Sequence, residues 1–358
     1  MKKILFLVGT RPEVIKIAPV LSACRQKQSF LSVLCTSGQH DTLLSDTLAD
    51  FRLSPDCAFQ IVGDDLGEKQ SECMHRFDRI LRGASPDAVA VHGDTLTAFT
   101  GGLAAFYRGI PVFHVEAGLR TDTPFSPFPE EFYRRAIDHL STLHFAPTAR
   151  AAERLLREGI RKEGIYTVGN TAIDGLFEDI DPCFAHPILK EEKKLVLVTL
   201  HRRESLGTTL TEMLRGIAKA IHRRQDTRLF FPMHPNPILR DAVKATLAPL
   251  TNAVLSEPVD THTFRNLLAC ATVALTDSGG VSEEATALGT PTLLLRDETE
   301  RPEGVDVGAL HLVGRKAEAI YAAVTDFLDT PRPHTPSSVF GDGHASPRIA
   351  EAIEAFFS

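Results

Sequence analysis

Short apolar runs alternate along this chain with stretches of helical spacing. In the first half, residues 4–8, 32–36, 88–92, 112–116, 142–146 and 165–168 are apolar nearly throughout rather than every second position. That is the pattern of strands covered on both faces. Residues 13–25, 95–107 and 129–139 read as helices, the first with Pro12 in its opening turn, where a missing N–H does no harm. Strands buried on both sides and joined by helices predict an α/β fold with a parallel sheet.

The pattern lapses over residues 179–194, which contain "DIDPCFAHP" and end in "KEEKK"; a linker is predicted there. Alternation resumes with apolar runs at 195–200, 229–233, 254–256, 272–276, 292–295 and 309–313. Residues 346–357, after the turn "FGDG", read as an amphipathic helix. The reading is therefore two Rossmann-like domains of similar length, expected to leave an active-site cleft between them.

Composition narrows the function. A chain of 358 residues exceeds the usual single domain. A net charge of −7 speaks against a general nucleic-acid binder. It leaves room for an anionic ligand wherever cations converge. The six cysteines are scattered and form no C-x-x-C pair, which predicts a reduced, cytoplasmic protein without a zinc site. The opening "MKKILFLVGTRPE" resembles a signal peptide, but its apolar stretch is short and meets Arg-Pro-Glu without a cleavage site. No run is long enough to span a bilayer, so no membrane partner is expected.

In open α/β sheets, ligands lie beyond the carboxyl ends of the strands. Arg11 and Lys16 follow the first run, Asp94 the "AVAVHG" run, and Glu116 and Arg120 the "PVFHVEAG" run. A proline-rich loop then carries Glu130, Glu131 and Arg134. In the second half come "HRRE" with His201, "HPNP" with His234, "DSGG" with Ser278, Gly279 and Gly280, then Glu283, Glu284 and, in "RPEG", Arg301. Singly these are weak signals. Asp94 also suits a helix N-cap, Arg11 and Arg301 also suit a surface, "HRRE" a solvated charge run, and His234 a turn. Glu116 at the end of an apolar strand needs a partner or a task. Glycines before a helix let backbone N–H groups approach an anion. Together, the second half supplies a phosphate nest and cations, and the first half supplies carboxylates. That division fits a nucleotide held by the second half with its reactive end facing acids and bases of the first. The missing G-x-G-x-x-G argues against NAD.

The segments "GTRPEVIK", "VHGDT", "HVEAGLR", "SPFPEE", "GNTAID", "TLHRRES", "DSGGVSEEA", "RDETERPE" and "FGDGHASPRI" run almost from end to end. In that order and combination they resemble the non-hydrolysing UDP-N-acetylglucosamine 2-epimerases. The resemblance implies a GT-B-like pair of domains, residues 1–175 and 176–340, with 341–358 packing back on the first. It implies a cytoplasmic homodimer that interconverts UDP-GlcNAc and UDP-ManNAc without metal or redox cofactor and feeds polysaccharide synthesis.

By position, Arg11, Lys16, Asp94, Glu116, Glu130 and His201 match the family's active-site set. Ser278, Gly279 and Gly280 match its diphosphate-binding turn, Glu284 a ribose-binding carboxylate, Arg301 another nucleotide-site residue, and Phe264 an aromatic that packs on uracil. Arg11 and Lys16 are then cations for the diphosphate. Three departures concern the second, activating substrate molecule that some members bind. Gln39 and His40 are kept, but Asp41 and Thr42 replace longer side chains. Tyr133 replaces Asn, and "HPNP" around His234 replaces "HLNP". Hyperbolic rather than sigmoidal substrate dependence is expected. A GT-B glycosyltransferase, a hydrolysing epimerase and an inactive nucleotide-sugar sensor are the competing readings. The carboxylates Asp94, Glu116 and Glu130 argue against the first, the same three with His201 against the last, and Thr95 in place of Arg against the hydrolysing enzyme.

Overall fold

The structure is a computed structural model. It describes every residue except 39–41, 122, 126, 202–206, 223 and 300, together with the side chains of Thr42 and Leu43. The chain divides into two compact units, Met1–Gly175 with Gly341–Ser358, and Leu176–Phe340.

Among the described residues the first unit holds strands β1 (Lys2–Val8), β2 (Phe30–Thr36), β3 (Cys57–Ala58), β4 (Ala88–His92), β5 (Val112–Val115), β6 (Leu143–Ala146) and β7 (Ile165–Thr167). They form one sheet in the order β3-β2-β1-β4-β5-β6-β7, every pair parallel. Strand β1, inside the sheet between β2 and β4, is apolar and wholly buried from Ile4 to Val8. One layer of core lies between its Ile4, Phe6 and Val8 and the helices Arg11–Arg25 and Ala345–Phe357; the other joins Leu5 and Leu7 to Phe77, Ala98 and Ile137.

The Ala345–Phe357 helix is held firmly within this unit. Its first amides, of Ala345 and Ser346, donate to the Asp174 carboxylate at 3.0 and 2.6 Å. Ile349 and Ile353 are fully buried in the core, and Glu354 accepts from Lys27 and Ser29 at 2.8 and 2.7 Å.

The second unit repeats the plan with β8 (Lys194–Thr199), β9 (Thr227–Pro232), β10 (Ala253–Ser256), β11 (Val273–Thr276), β12 (Thr292–Leu294) and β13 (Leu310–Leu312). Their order is β10-β9-β8-β11-β12-β13, again all parallel. In both sheets the chain reverses its direction of winding beside the first strand, between β1 and β4 and between β8 and β11. Such a switch point opens a crevice at the carboxyl ends of the two strands.

One expectation is corrected. The predicted linker at 179–194 is not a free connection. Ile188 is buried and, with Phe184 and Leu189, packs on Leu195, Phe230 and Leu267 of the second unit. The Asp181 amide donates to Asn266 at 2.8 Å. Prolines and charges mask this apolar trio in the sequence. Among the described residues no helix is long and apolar enough to cross a membrane.

Candidate active site

In the first unit the switch point is built by a close approach. A Cβ on Gly9 would lie 2.0 Å from Thr97 Oγ1, so only glycine lets the end of β1 lie against the Leu96–Phe106 helix. Glu13, in the first turn of the Arg11–Arg25 helix, ties the two strand ends together. Its carboxylate accepts from the Gly9 amide at 2.9 Å, from Thr10 Oγ1 at 2.8 Å and from Thr95 Oγ1 at 2.6 Å. Burial pushes this carboxyl up to about 7 from an ordinary value near 4.5, against the hydrogen bonds from Thr95, Gly9 and Thr10.

That shift has a sign. Below about 4.5 Glu13 is protonated folded and unfolded alike, and above about 7 it is ionised in both. Ionising it in the fold is the harder step, so stability falls as pH rises through this window, by about 3 kcal/mol. Glu13→Gln should lose that contribution. Urea titrations of both proteins at about pH 5 and about pH 8 check it: the wild-type loss relative to Gln is the expected result.

The carboxylates expected from the sequence sit on the adjoining loops. Lys16 and Glu116 form a buried ion pair. His92 Nε2 lies 3.6 Å from Glu116 Oε2. Burial lowers the basicity of His92, with Glu116 opposing the shift. Glu116 is not the last residue of the strand, as the apolar run suggests. It follows β5 in the left-handed region at φ 67°, a conformation that costs a non-glycine residue about 1–2 kcal/mol. The amides of Glu116 and Ala117 both donate to the Phe145 carbonyl at 3.1 Å and hold that turn.

Asp94 follows β4 and pairs with Arg134. It is not the N-cap; Thr95 is, its Oγ1 accepting from Ala98 N at 3.1 Å. Arg134 also meets the wholly buried Glu131 at 3.3 Å. Glu130 opens the Glu130–Leu140 helix and is half-buried, and Arg11 stands half-buried at the start of its own helix. The first unit thus gathers Arg11, Lys16, Asp94, Glu116 and Glu130 at one end of its sheet. Tyr133 is buried and stacked on Phe99 at 4.7 Å.

In the second unit the switch point carries His201 and the nest. The His201 amide donates to both oxygens of the buried Asp277 carboxylate, at 3.1 and 3.3 Å, and His201 Nδ1 lies 3.5 Å from it. The rings of His201 and His234 lie 6.4 Å apart. Ser278 caps the Gly279–Leu288 helix, whose first turn presents backbone N–H groups. Arg301 is buried against Glu283 and passes so close to this turn that a Cβ on Gly279 would lie 2.4 Å from Arg301 Nη1. A Cβ on Gly280 would meet nothing within 4 Å. Glu284 is held by Arg265 at 2.8 and 3.0 Å, and Phe264 precedes that arginine on the Thr261–Cys270 helix.

Gln39 and His40, the candidates for activator contacts, lie outside the described residues, as do Arg202, Arg203 and Glu204. Sequence reading missed Glu13, His92, Asp277 and Arg265. Each stands within two residues of one that was singled out, but only the three-dimensional contact distinguishes it from a core or surface residue.

Comparison with known proteins gives one answer. The model of the UDP-N-acetylglucosamine 2-epimerase family matches residues 22–354. The UDP-N-acetylglucosamine 2-epimerase of Bacillus subtilis (strain 168) is 40% identical over 98% of this chain and 94% of its own. The crystal structure of the UDP-GlcNAc 2-epimerase from Neisseria meningitidis bound to UDP-GlcNAc superposes with a TM-score of 0.94 at 36% identity, covering 99% of this chain and 100% of that one. CalG4, the calicheamicin glycosyltransferase, superposes at 0.59 with 15% identity over 100% of this chain and 98% of its own, a likeness of fold alone.

Proposed function

Because the chain belongs to the UDP-N-acetylglucosamine 2-epimerase family, and is thus an isomerase, we propose that it interconverts UDP-GlcNAc and UDP-ManNAc by eliminating UDP and adding it back. The nest of Ser278, Gly279 and Gly280, with Arg301, takes the diphosphate. Phe264 packs on the uracil and Glu284 takes the ribose. Arg11 and Lys16 assist the departing diphosphate, and His201 supports it. Asp94, Glu116 and Glu130 exchange the proton at C2 through a 2-acetamidoglucal intermediate. The enzyme works in the cytoplasm as a homodimer and supplies ManNAc-type precursors for cell-surface polysaccharide.

The observation that carries this reading is the pairing of Asp94 with Arg134 and of Glu116 with Lys16 at the carboxyl ends of β4 and β5. A nucleotide-binding nest alone would serve a transferase equally well. Paired, partly dry carboxylates suit proton transfer. A diphosphate competing for Lys16 also alters what Glu116 faces, which couples substrate arrival to the readiness of a base.

Incubation with UDP-GlcNAc followed by proton NMR tests the proposal. An equilibrium mixture with UDP-ManNAc is expected. Free ManNAc with UDP would instead establish a hydrolysing enzyme, and no reaction until a sugar acceptor is added would establish a transferase. The nest has its own test. Gly279→Ala must displace the Arg301 guanidinium and should weaken UDP binding about tenfold, or 1.4 kcal/mol. Gly280→Ala, with open space at its Cβ, is the steric control in the same calorimetric titration.

A further inference from the structure

Beneath the Asp94 and Glu116 loops lies a buried polar network that the proposed chemistry does not use. Asp138, on the same helix as Glu130 and Arg134 and in line with them at intervals of one turn, is completely buried, as is His114 on β5. His114 Nδ1 lies 2.6 Å from Asp138 Oδ1, and His114 Nε2 lies 2.8 Å from the Gly93 carbonyl. The other carboxylate oxygen, Asp138 Oδ2, accepts from the Gly118 amide at 3.2 Å and from Arg120 Nη2 at 2.7 Å. Arg120 in turn meets Glu158 at 2.8 and 2.6 Å.

Both nitrogens of His114 face acceptors. A neutral imidazole has one N–H and one lone pair, so it could satisfy only one of the two contacts and would turn a lone pair on the other. Two donated hydrogen bonds require an imidazolium. A buried cation needs a counter-charge, and the four groups balance: His114 and Arg120 against Asp138 and Glu158. The Asp138 carboxyl is held down to about 2, burial notwithstanding, by His114 and Arg120.

The two ends of this network are Gly93 and Gly118. Gly93 is the residue before Asp94, at φ 64°; Gly118 is two residues after Glu116, at φ 82°. A Cβ on Gly118 would lie 2.4 Å from the Ala151 carbonyl oxygen. Glycine takes this left-handed backbone without strain and takes others as readily, so outside contacts are what fix the two loops. We infer that Asp138 is a positioning residue: through the His114 imidazolium and the Gly118 amide it fixes, from one side chain, the loops that carry Asp94 and Glu116. This rests on the functional reading above for its effect on turnover, though not for its geometry.

Asp138→Asn conserves shape but turns an N–H₂ toward the Gly118 and Arg120 donors and removes the counter-charge of His114. The imidazole then loses a proton, and the Gly93 carbonyl loses its donor. Turnover should fall about 30-fold, while KM and the affinity for UDP, which the second unit binds, stay within about threefold. Nitrogen-edited NMR of the wild type at neutral pH should show two ring N–H protons on His114, and Asp138→Asn should show one.

A single ring proton in the wild type would overturn the positioning role, even if Asp138→Asn failed to fold. So would a folded Asp138→Asn with kcat within about twofold of wild type, or a loss of UDP affinity in step with kcat. A wild type that shows both ring protons yet forms no UDP-ManNAc would overturn the functional reading instead, and with it the effect on turnover.

Discussion

Asp94→Asn, Glu116→Gln and Glu130→Gln each lower turnover by about a thousandfold or more, while UDP affinity stays within a few-fold. The separation follows from where these groups stand. All three lie in the first unit, and the proposed contacts to uracil, ribose and diphosphate are mostly made by Phe264, Glu284, Arg301 and the 278–280 turn of the second. Amide replacements keep volume and a hydrogen-bonding oxygen but cannot carry a proton at neutral pH. Asp94→Asn leaves Arg134 with Glu131 at 3.3 Å, so a counter-charge remains and the fold should hold. Glu116→Gln leaves Lys16 buried with a neutral neighbour, and some stability is lost, since an unpaired buried charge is costly. Thermal melts therefore accompany the kinetics. Product formation by NMR and UDP binding by calorimetry are the two readouts. A variant with near-normal kcat, or one whose UDP affinity falls as far as its turnover, removes that carboxylate from the proton-transfer set.

The fold was largely legible because strands buried on both faces write themselves as apolar runs. β1, β4, β8 and β11, which flank the two switch points, were each marked in this way. Most helices of the second half were not read one by one, and two elements of the first half show why a pattern can be missed. β3 is two residues long, Cys57 and Ala58, too short to make a pattern. The Leu66–Ala84 helix buries only Cys73, Phe77 and Leu81, a narrow stripe among polar residues. At the proposed site, residue types after strand ends pointed to loops at the carboxyl ends of the strands, and the motif resemblance narrowed them to single positions. What the sequence withheld is pairing. Lys16 and Glu116 are 100 positions apart, and Asp94 and Arg134 are 40; their contact is a product of strand order. Glu13 reads as an ordinary first-turn acid of a helix. Only the meeting of Gly9, Thr10 and Thr95 around it reveals a buried carboxyl.

In heavy water, every molecule of epimerised product carries deuterium at C2. The C2 proton of the sugar is not next to a carbonyl, so no side-chain carboxylate removes it directly at a useful rate. The barrier falls if the C1–O bond to UDP breaks first or in concert. Positive charge then develops at C1, the C2 proton becomes acidic, and its loss leaves 2-acetamidoglucal beside UDP. In the proposed path the electron pair of the C1–O bond departs with the diphosphate, whose growing negative charge is the proposed task of the nest, Arg301, Arg11 and Lys16. The C–H pair becomes the C1–C2 double bond. Return of UDP to C1 with a proton delivered to the opposite face of C2 gives the epimer. The two faces require two groups, so the proposed path needs more than one acid–base group. A base that takes the proton from one face cannot return it to the other, so the new hydrogen comes from a group already exchanged with solvent. Proton NMR should show the C2 signal absent from UDP-ManNAc from the earliest times. Small amounts of free glycal and UDP should escape, most visibly from a variant that is slow in re-addition. Product that keeps its original C2 hydrogen would mean internal return of the same proton. A labelled bridging oxygen that scrambles into the non-bridging positions of the diphosphate would show that the C1–O bond breaks, as the elimination path requires.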